Sequence, residues 1–344
     1  MSALYAVAAS WLAATAPHQA CFTVQPVIPA GRVCMDTDGG LIVAGTPERA
    51  ARLATLAEQG SRRFQVAFGR SVPSYAIVET VNSQTDARLD AALKDAGIAW
   101  RMPWLSERDM AEGYRTSITR GVTAKAHAMQ LDAERTTALV ASALAQQADK
   151  ITPVALQARE AGALPHELGH GWFINAFWPK TAVRASDHYG GPAPDWMDEA
   201  AAIMMEDEAM ANSRRAKFAA IYAGGDAAAK ARLLDLSSFL AGGHPALPKL
   251  DLTNTSGRVQ VLTGEEGARI AAVAGGFYLQ ARLFVDYVLA RSGNPAAFRS
   301  AADAFAKGKT TAQWLAVDGA RLHVPVKVAA LEADWHNWLA QSRQ

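Results

Sequence analysis

His166-Glu167-Leu168-Gly169-His170 decides how this chain is read. On a helix, His166 and His170 stand four residues apart and project from one face, close enough for two imidazoles to share one zinc ion. Glu167 lies beside them, where its carboxylate is placed to take a proton from a water polarised by the metal. The flanking glycines, Gly169 and Gly171, weaken a helix unless another element must approach closely. The motif therefore predicts a tightly packed helix carrying two metal ligands, His166 and His170, and a general base, Glu167.

Two histidines do not complete a catalytic zinc site, which needs three protein ligands and one open position. A third histidine six residues on, with glycine between, is excluded, because those positions are Ala176 and Phe173. The remaining route is a carboxylate from a later helix. Glu199 is the best candidate, within Pro194-Asp195-Trp196-Met197-Asp198-Glu199-Ala200-Ala201-Ala202. It falls in the early turns of a helix whose small residues allow close approach to the histidine helix, and its charge offsets the dication. Asp187, His188, Asp195, Asp198 and Glu206 are its rivals. His188 is a good ligand type but sits in a loop, 180–194, rich in Asp, Gly and Pro, that constrains it poorly. Asp198 suits either an orienting partner for a ligand histidine or a solvated helix charge. Glu206 to Glu208 reads as an acidic solvated face. The two-histidine, one-glutamate set favours one Zn2+ per chain, although cobalt and manganese also accept it.

Working outward, the segment from Cys21 to about Tyr75 alternates short apolar runs with turns. Cys21 to Val27 and Arg32 to Met35 read as a strand pair. Leu41 to Ala44 follows the Asp38-Gly39-Gly40 turn. Arg63 to Phe68 and Tyr75 to Glu79 are strand-like, rich in β-branched and aromatic residues. Helices are predicted from Thr46-Pro47-Glu48 onward and over Asp86 to Ala96. Beyond about Thr123 the periodicity is helical. Thr123 to Lys150 forms one long helix or two. The histidine helix starts near Pro165, tolerated in the first turn, and ends before Pro179. Asp195 to Ala223, Asp226 to Leu240, Glu265 to Arg291, Pro295 to Lys307 and Val326 to Leu339 follow as helices, with Gly242 to Gly257 irregular.

The 344 residues are 50% hydrophobic and 19% charged, with a formal net charge of +1. That is an ordinary composition for a soluble fold with a substantial core. There is no basic stripe interleaved with aromatics, so a nucleic-acid partner is not expected. Leu4 to Ala16 is apolar but too short to span a membrane. With Ala14-Thr15-Ala16 behind it, the first 20 residues read as a signal-like segment or as a buried N-terminal helix. The two cysteines, Cys21 and Cys34, form a disulfide if the chain is exported, or remain buried thiols.

The chain resembles the gluzincins, zinc peptidases built on HExxH and a downstream glutamate. The Trp-x-x-Glu-x-x-Ala run of Trp196, Glu199 and Ala202 is similar to their third-ligand segment. Tyr278-Leu279-Gln280-Ala281, with Phe284 to Val288 and Ser292-Gly293, resembles a helix whose tyrosine faces the zinc in such enzymes. The resemblance implies an oxyanion-stabilising role for Tyr278. Phe64 to Gly69 looks like their N-terminal strand, and Gly308-Lys309-Thr310 and Leu331 to Leu339 look like their closing segments.

The chain departs from the family in carrying Asp198 where relatives often have asparagine. It also lacks a Gly-x-Met-Glu-Asn segment, which favours endopeptidase over aminopeptidase action. The implied fold is α+β and two-lobed. A mixed α/β lobe over 21–178 would end in the histidine helix, a helical lobe over 179–344 would carry the third ligand, and the zinc site would lie between them. The implied partner is a peptide or protein substrate, in the periplasm or outside the cell, with the cytoplasm as the alternative. The alternative function is a binding or scaffolding domain that keeps the fold without turnover.

Overall fold

The computed structural model describes residues 20–80, 87–179, 191–224, 227–231, 233–244 and 264–341, with backbone alone at 228–229 and 264–271. Residues 1–19 of the signal-like segment, the rivals Asp187 and His188, and positions 245–257 of the irregular stretch lie outside the described residues.

The fold is α+β. Its one described sheet has four strands in the order β1 (Val33–Thr37), β2 (Gly40–Ala44), β3 (Tyr75–Thr80) and β4 (Trp100–Leu105). β1 and β2 form an antiparallel hairpin, while β2, β3 and β4 run parallel. Crossover helices α2 (Pro47–Phe68) and α3 (Ala87–Asp95) make those parallel connections. β2 and β3 are buried along their whole length, as expected of strands covered on both faces. Leu41, Val43, Ala76 and Val78 face Leu89 and Leu93 of α3 and helix α1 (Ala20–Val24). Ile42, Ala44, Tyr75 and Ile77 face the main core.

Two local readings are corrected, and one unread strand is added. Cys21 lies in α1, not in a strand pairing with Arg32 to Met35, and the Cys21–Cys34 disulfide ties that helix to β1 instead. Arg63 to Phe68 is not a strand but the last turns of α2. Phe64, Ala67 and Phe68 are all buried there, at helical spacing, and the helix stops at Gly69 with φ +61°. β4 is a strand that sequence pattern does not announce, because Pro103 interrupts it; its place at the sheet edge, where a missing N–H is tolerated, explains how.

The remaining helices are α4 (Glu107–Ala128), α5 (Ala133–Gln146), α6 (Pro153–Phe177), α7 (Asp195–Ile203), α8 (Glu208–Ala223), α9 (Ala227–Lys230), α10 (Leu236–Ala241), α11 (Gly264–Ser292), α12 (Phe298–Ala306), α13 (Thr311–Asp318) and α14 (Val328–Gln341). α4 therefore begins well before Thr123. The helix expected over Asp195 to Ala223 is two, separated where the Asp207 side chain accepts the Met210 N–H and caps α8.

The histidine helix α6 begins at Pro153, capped by Thr152, so Pro165 lies inside it rather than in its first turn. One continuous hydrophobic core runs from Ile42 of β2 through Trp172 of α6 to Leu339 of α14. α6 is also fastened to the sheet by buried charge. Glu160 of α6 pairs with Arg49 of α2 and accepts the Trp104 indole N–H at 2.6 Å, and Arg49 also pairs with Glu79 of β3 at 3.1 Å. No helix among the described residues is long and apolar enough to cross a membrane.

Candidate metal centre

α6 and α7 meet over small residues. A side chain at Gly169 would collide with Ala202 and Met205, and one at Gly171 with the Trp100 ring. These glycines therefore permit the close approach their helix-weakening cost implied. α7 is held in rotation by Trp196, fully buried among Phe239, Phe284, Phe305 and Trp314, with its indole N–H donating to the Thr311 hydroxyl at 3.2 Å. That anchor turns Glu199 toward α6.

His166, His170 and Glu199 come together, each offering one ligand atom, all within 4.8 Å of one another. His166 Nε2 lies 3.6 Å from Oε1 of Glu199, and His170 Nε2 lies 3.6 Å from Oε2. Tetrahedral zinc with bonds of about 2.0–2.1 Å keeps its donors about 3.3 Å apart. The donor set and its spacing thus fit zinc. Glu199 is 1% exposed, and neither of its oxygens has a hydrogen-bond partner. Burial pushes its pKa up, against the pull of His166 and His170. A buried carboxylate with no hydrogen-bond donor is costly, and a metal cation between it and two imidazoles would lower that cost further than the charge of the imidazoles does.

Both imidazoles are backed by carboxylates on their other nitrogen. His170 Nδ1 lies 3.1 Å from Oδ2 of Asp198, and His166 Nδ1 lies 2.9 Å from Oε1 of Glu206. Burial works against the charge of Glu206, but His166 and Arg214 hold its pKa below the usual carboxylate range. An ionised carboxylate only accepts, so His166 donates from Nδ1 to Glu206, and its Nε2 is the nitrogen that faces Glu199. Glu206 is therefore not part of a solvated acidic face. Its side chain is buried, and Arg214 of α8 donates to it through Nε at 2.8 and 2.9 Å. Its neighbours concealed it, since Asp207 caps α8 and Glu208 is exposed. Asp195, another rival, instead accepts the backbone N–H of His244. Glu167 is exposed, free to meet a substrate.

Tyr278 of α11 lies within reach of the charges of Glu199 and Glu167. Arg214 sits 5.7 Å over its ring. Burial, then the charges of Glu199 and Glu167, push its pKa up to about 12, so the phenol stays protonated at neutral pH. Its hydroxyl is 3.1 Å from Nε2 of His244. His244 is 4% exposed, and burial together with the charge of His170 lowers its pKa to about 4, leaving it neutral. Sequence reasoning missed His244, which stands between Gly243 and Pro245 with no motif around it.

Comparison with family models, with curated proteins and with solved structures gives no match.

Proposed function

We propose that the chain is a zinc-dependent peptidase of the gluzincin kind, two-lobed about the α6–α7 junction, with His166, His170 and Glu199 as the metal ligands. The observation that carries the reading is the convergence of two Nε2 atoms on a buried carboxylate that has no hydrogen-bond donor. When bound, zinc supplies Lewis acidity, which acidifies water toward neutral pH and polarises a carbonyl.

The chain's own residues do the rest. Asp198 and Glu206 orient the two imidazoles. Glu167, exposed beside them, takes a proton from the attacking water as it adds to the scissile carbonyl, and returns it to the leaving amine. The Tyr278 O–H donates to the oxyanion that forms, while His244 holds the phenol in place. Replacing water by such a fixed donor is worth about a hundredfold or more in rate. Endopeptidase action is favoured, and the disulfide between Cys21 and Cys34 supports an oxidising compartment such as the periplasm or the cell exterior.

The test is hydrolysis of an unstructured protein such as casein by zinc-loaded protein, beside the Glu167→Gln variant. Loss of hydrolysis with zinc retained in the variant supports the assignment. Equal hydrolysis by both overturns it.

A further inference from the structure

A cavity of about 870 Å³ opens between α6, α8 and α11, lined in part by Tyr278 and by Arg214, the partner of Glu206. Its charge is one-sided. Among the described residues, Arg159, Arg214 and Lys217 line it, against a single acid, Asp207. Arg214 is engaged by Glu206, and Asp207 caps α8. Arg159 and Lys217 make no ion pair among the described residues, and Nη1 of Arg159 is buried without a hydrogen-bond partner.

Arg159 is held by its planar face, 4.5 Å over the Tyr114 ring, which leaves its N–H edges for another group. It stands seven residues before His166 on the uninterrupted helix α6, hence on nearly the same face and about 10 Å along the axis. That distance is about three extended residues of a bound peptide. Gly275 of α11 also lines the cavity, and a Cβ there would meet nothing within 4 Å.

We infer that this cavity is a substrate subsite for a carboxylate, held by Arg159 and Lys217, a few residues along the peptide from the cleaved bond. The inference rests on the peptidase reading for the bond that is cleaved, and on the cavity alone for the binding. The carboxylate comes from an acidic side chain or from the peptide's own C-terminus. A half-buried guanidinium at Arg159, with the exposed ammonium of Lys217 beside the same cavity, favours either over a neutral amide, by about tenfold.

The test uses three fluorophore-labelled hexapeptides: one with a glutamate and an amidated end, one with glutamine in its place, and one neutral in its side chains with a free C-terminal carboxylate. Binding is read by fluorescence anisotropy on zinc-loaded Glu167→Gln protein, and hydrolysis on zinc-loaded wild type. Tighter binding of the glutamate peptide than of the glutamine peptide, by about tenfold or more, assigns the site to acidic side chains; the same margin for the free-terminus peptide alone assigns it to chain ends. Either preference should vanish in Arg159→Gln and Lys217→Gln, and Lys217→Glu should weaken acidic peptides further.

Equal binding of all three peptides, or a preference that survives both glutamine variants, overturns the subsite. Hydrolysis of all three at one rate, with no binding preference, does so while leaving the peptidase reading intact. Carboxylate-selective binding with no hydrolysis supports the subsite and removes the peptidase reading.

Discussion

The imidazole of His166 in α6 and the carboxylate of Glu206, in the turn between α7 and α8, meet at 2.9 Å, Nδ1 to Oε1. This contact fixes which nitrogen of His166 carries its proton and which is left for a metal. Glu206→Ala should therefore weaken zinc binding by about tenfold to a hundredfold without removing a ligand. Competition against a chelator of known affinity measures this. Unchanged affinity would mean that His166 is oriented by its packing alone.

His170 carries a second consequence. In the absence of metal, burial opposes its charge, but Asp198, Glu199 and Glu167 outweigh burial and push its pKa up to about 10. At pH 8 it is an imidazolium, and zinc can take its Nε2 lone pair only as a proton leaves. About one proton per zinc should be released at that pH through this residue. The slope of calorimetric heat against buffer ionisation enthalpy reads that number, and a slope of zero would contradict a charged His170.

The same shift sets a stability window. The folded-state pKa lies above the ordinary value of 6.5, so the contribution is complete below about pH 6.5 and is lost as pH rises through about 10. Thermal melts of metal-free protein should show a falling midpoint between pH 7 and 10. The zinc-loaded protein should not show this loss, because its His170 has no such proton to give up.

Tyr278→Phe should lower kcat by about a hundredfold while leaving zinc content and KM nearly unchanged, since the hydroxyl acts on the oxyanion and not on the metal. His244→Ala should lower kcat in the same direction with zinc retained, because it frees the phenol that His244 holds at 3.1 Å. A KM effect without a kcat effect in either variant would place these residues in substrate binding.

The buried charges that fasten α6 to the sheet are a stability element apart from the chemistry. Arg49→Ala leaves Glu160, 1% exposed, and Glu79, 5% exposed, without their central cation. Removing one partner of such a buried pair costs about 3–5 kcal/mol. Urea unfolding should show that loss. A loss under about 1 kcal/mol would mean that Arg32, Arg52 and Trp104 suffice for the two glutamates.

How much of this was legible in the sequence depended on whether the signal was local. The spacing of His166 and His170, and the small residues beside Glu199, led to groups that the fold does bring together. Asp198 was readable only as one of two alternatives, because a helix charge looks the same whether it faces water or an imidazole. Glu206 was misread, since only one of three consecutive acids turns inward and the chain does not say which. His244 was invisible, because its role depends on a tyrosine 34 residues away that it meets only in three dimensions. In the sheet, β2 and β3 announced themselves as apolar runs, while Pro103 hid β4. Phe64 to Phe68 looked like a strand because β-branched and aromatic residues also suit the buried face of a long helix.

The most direct test is zinc per chain, measured by elemental analysis on wild type and on Glu199→Ala, both purified without added metal. The expected result is about one zinc per wild-type chain and most of it lost in the variant. Wild type that holds no zinc even after reloading, or a variant that keeps it in full, would contradict a site built from His166, His170 and Glu199.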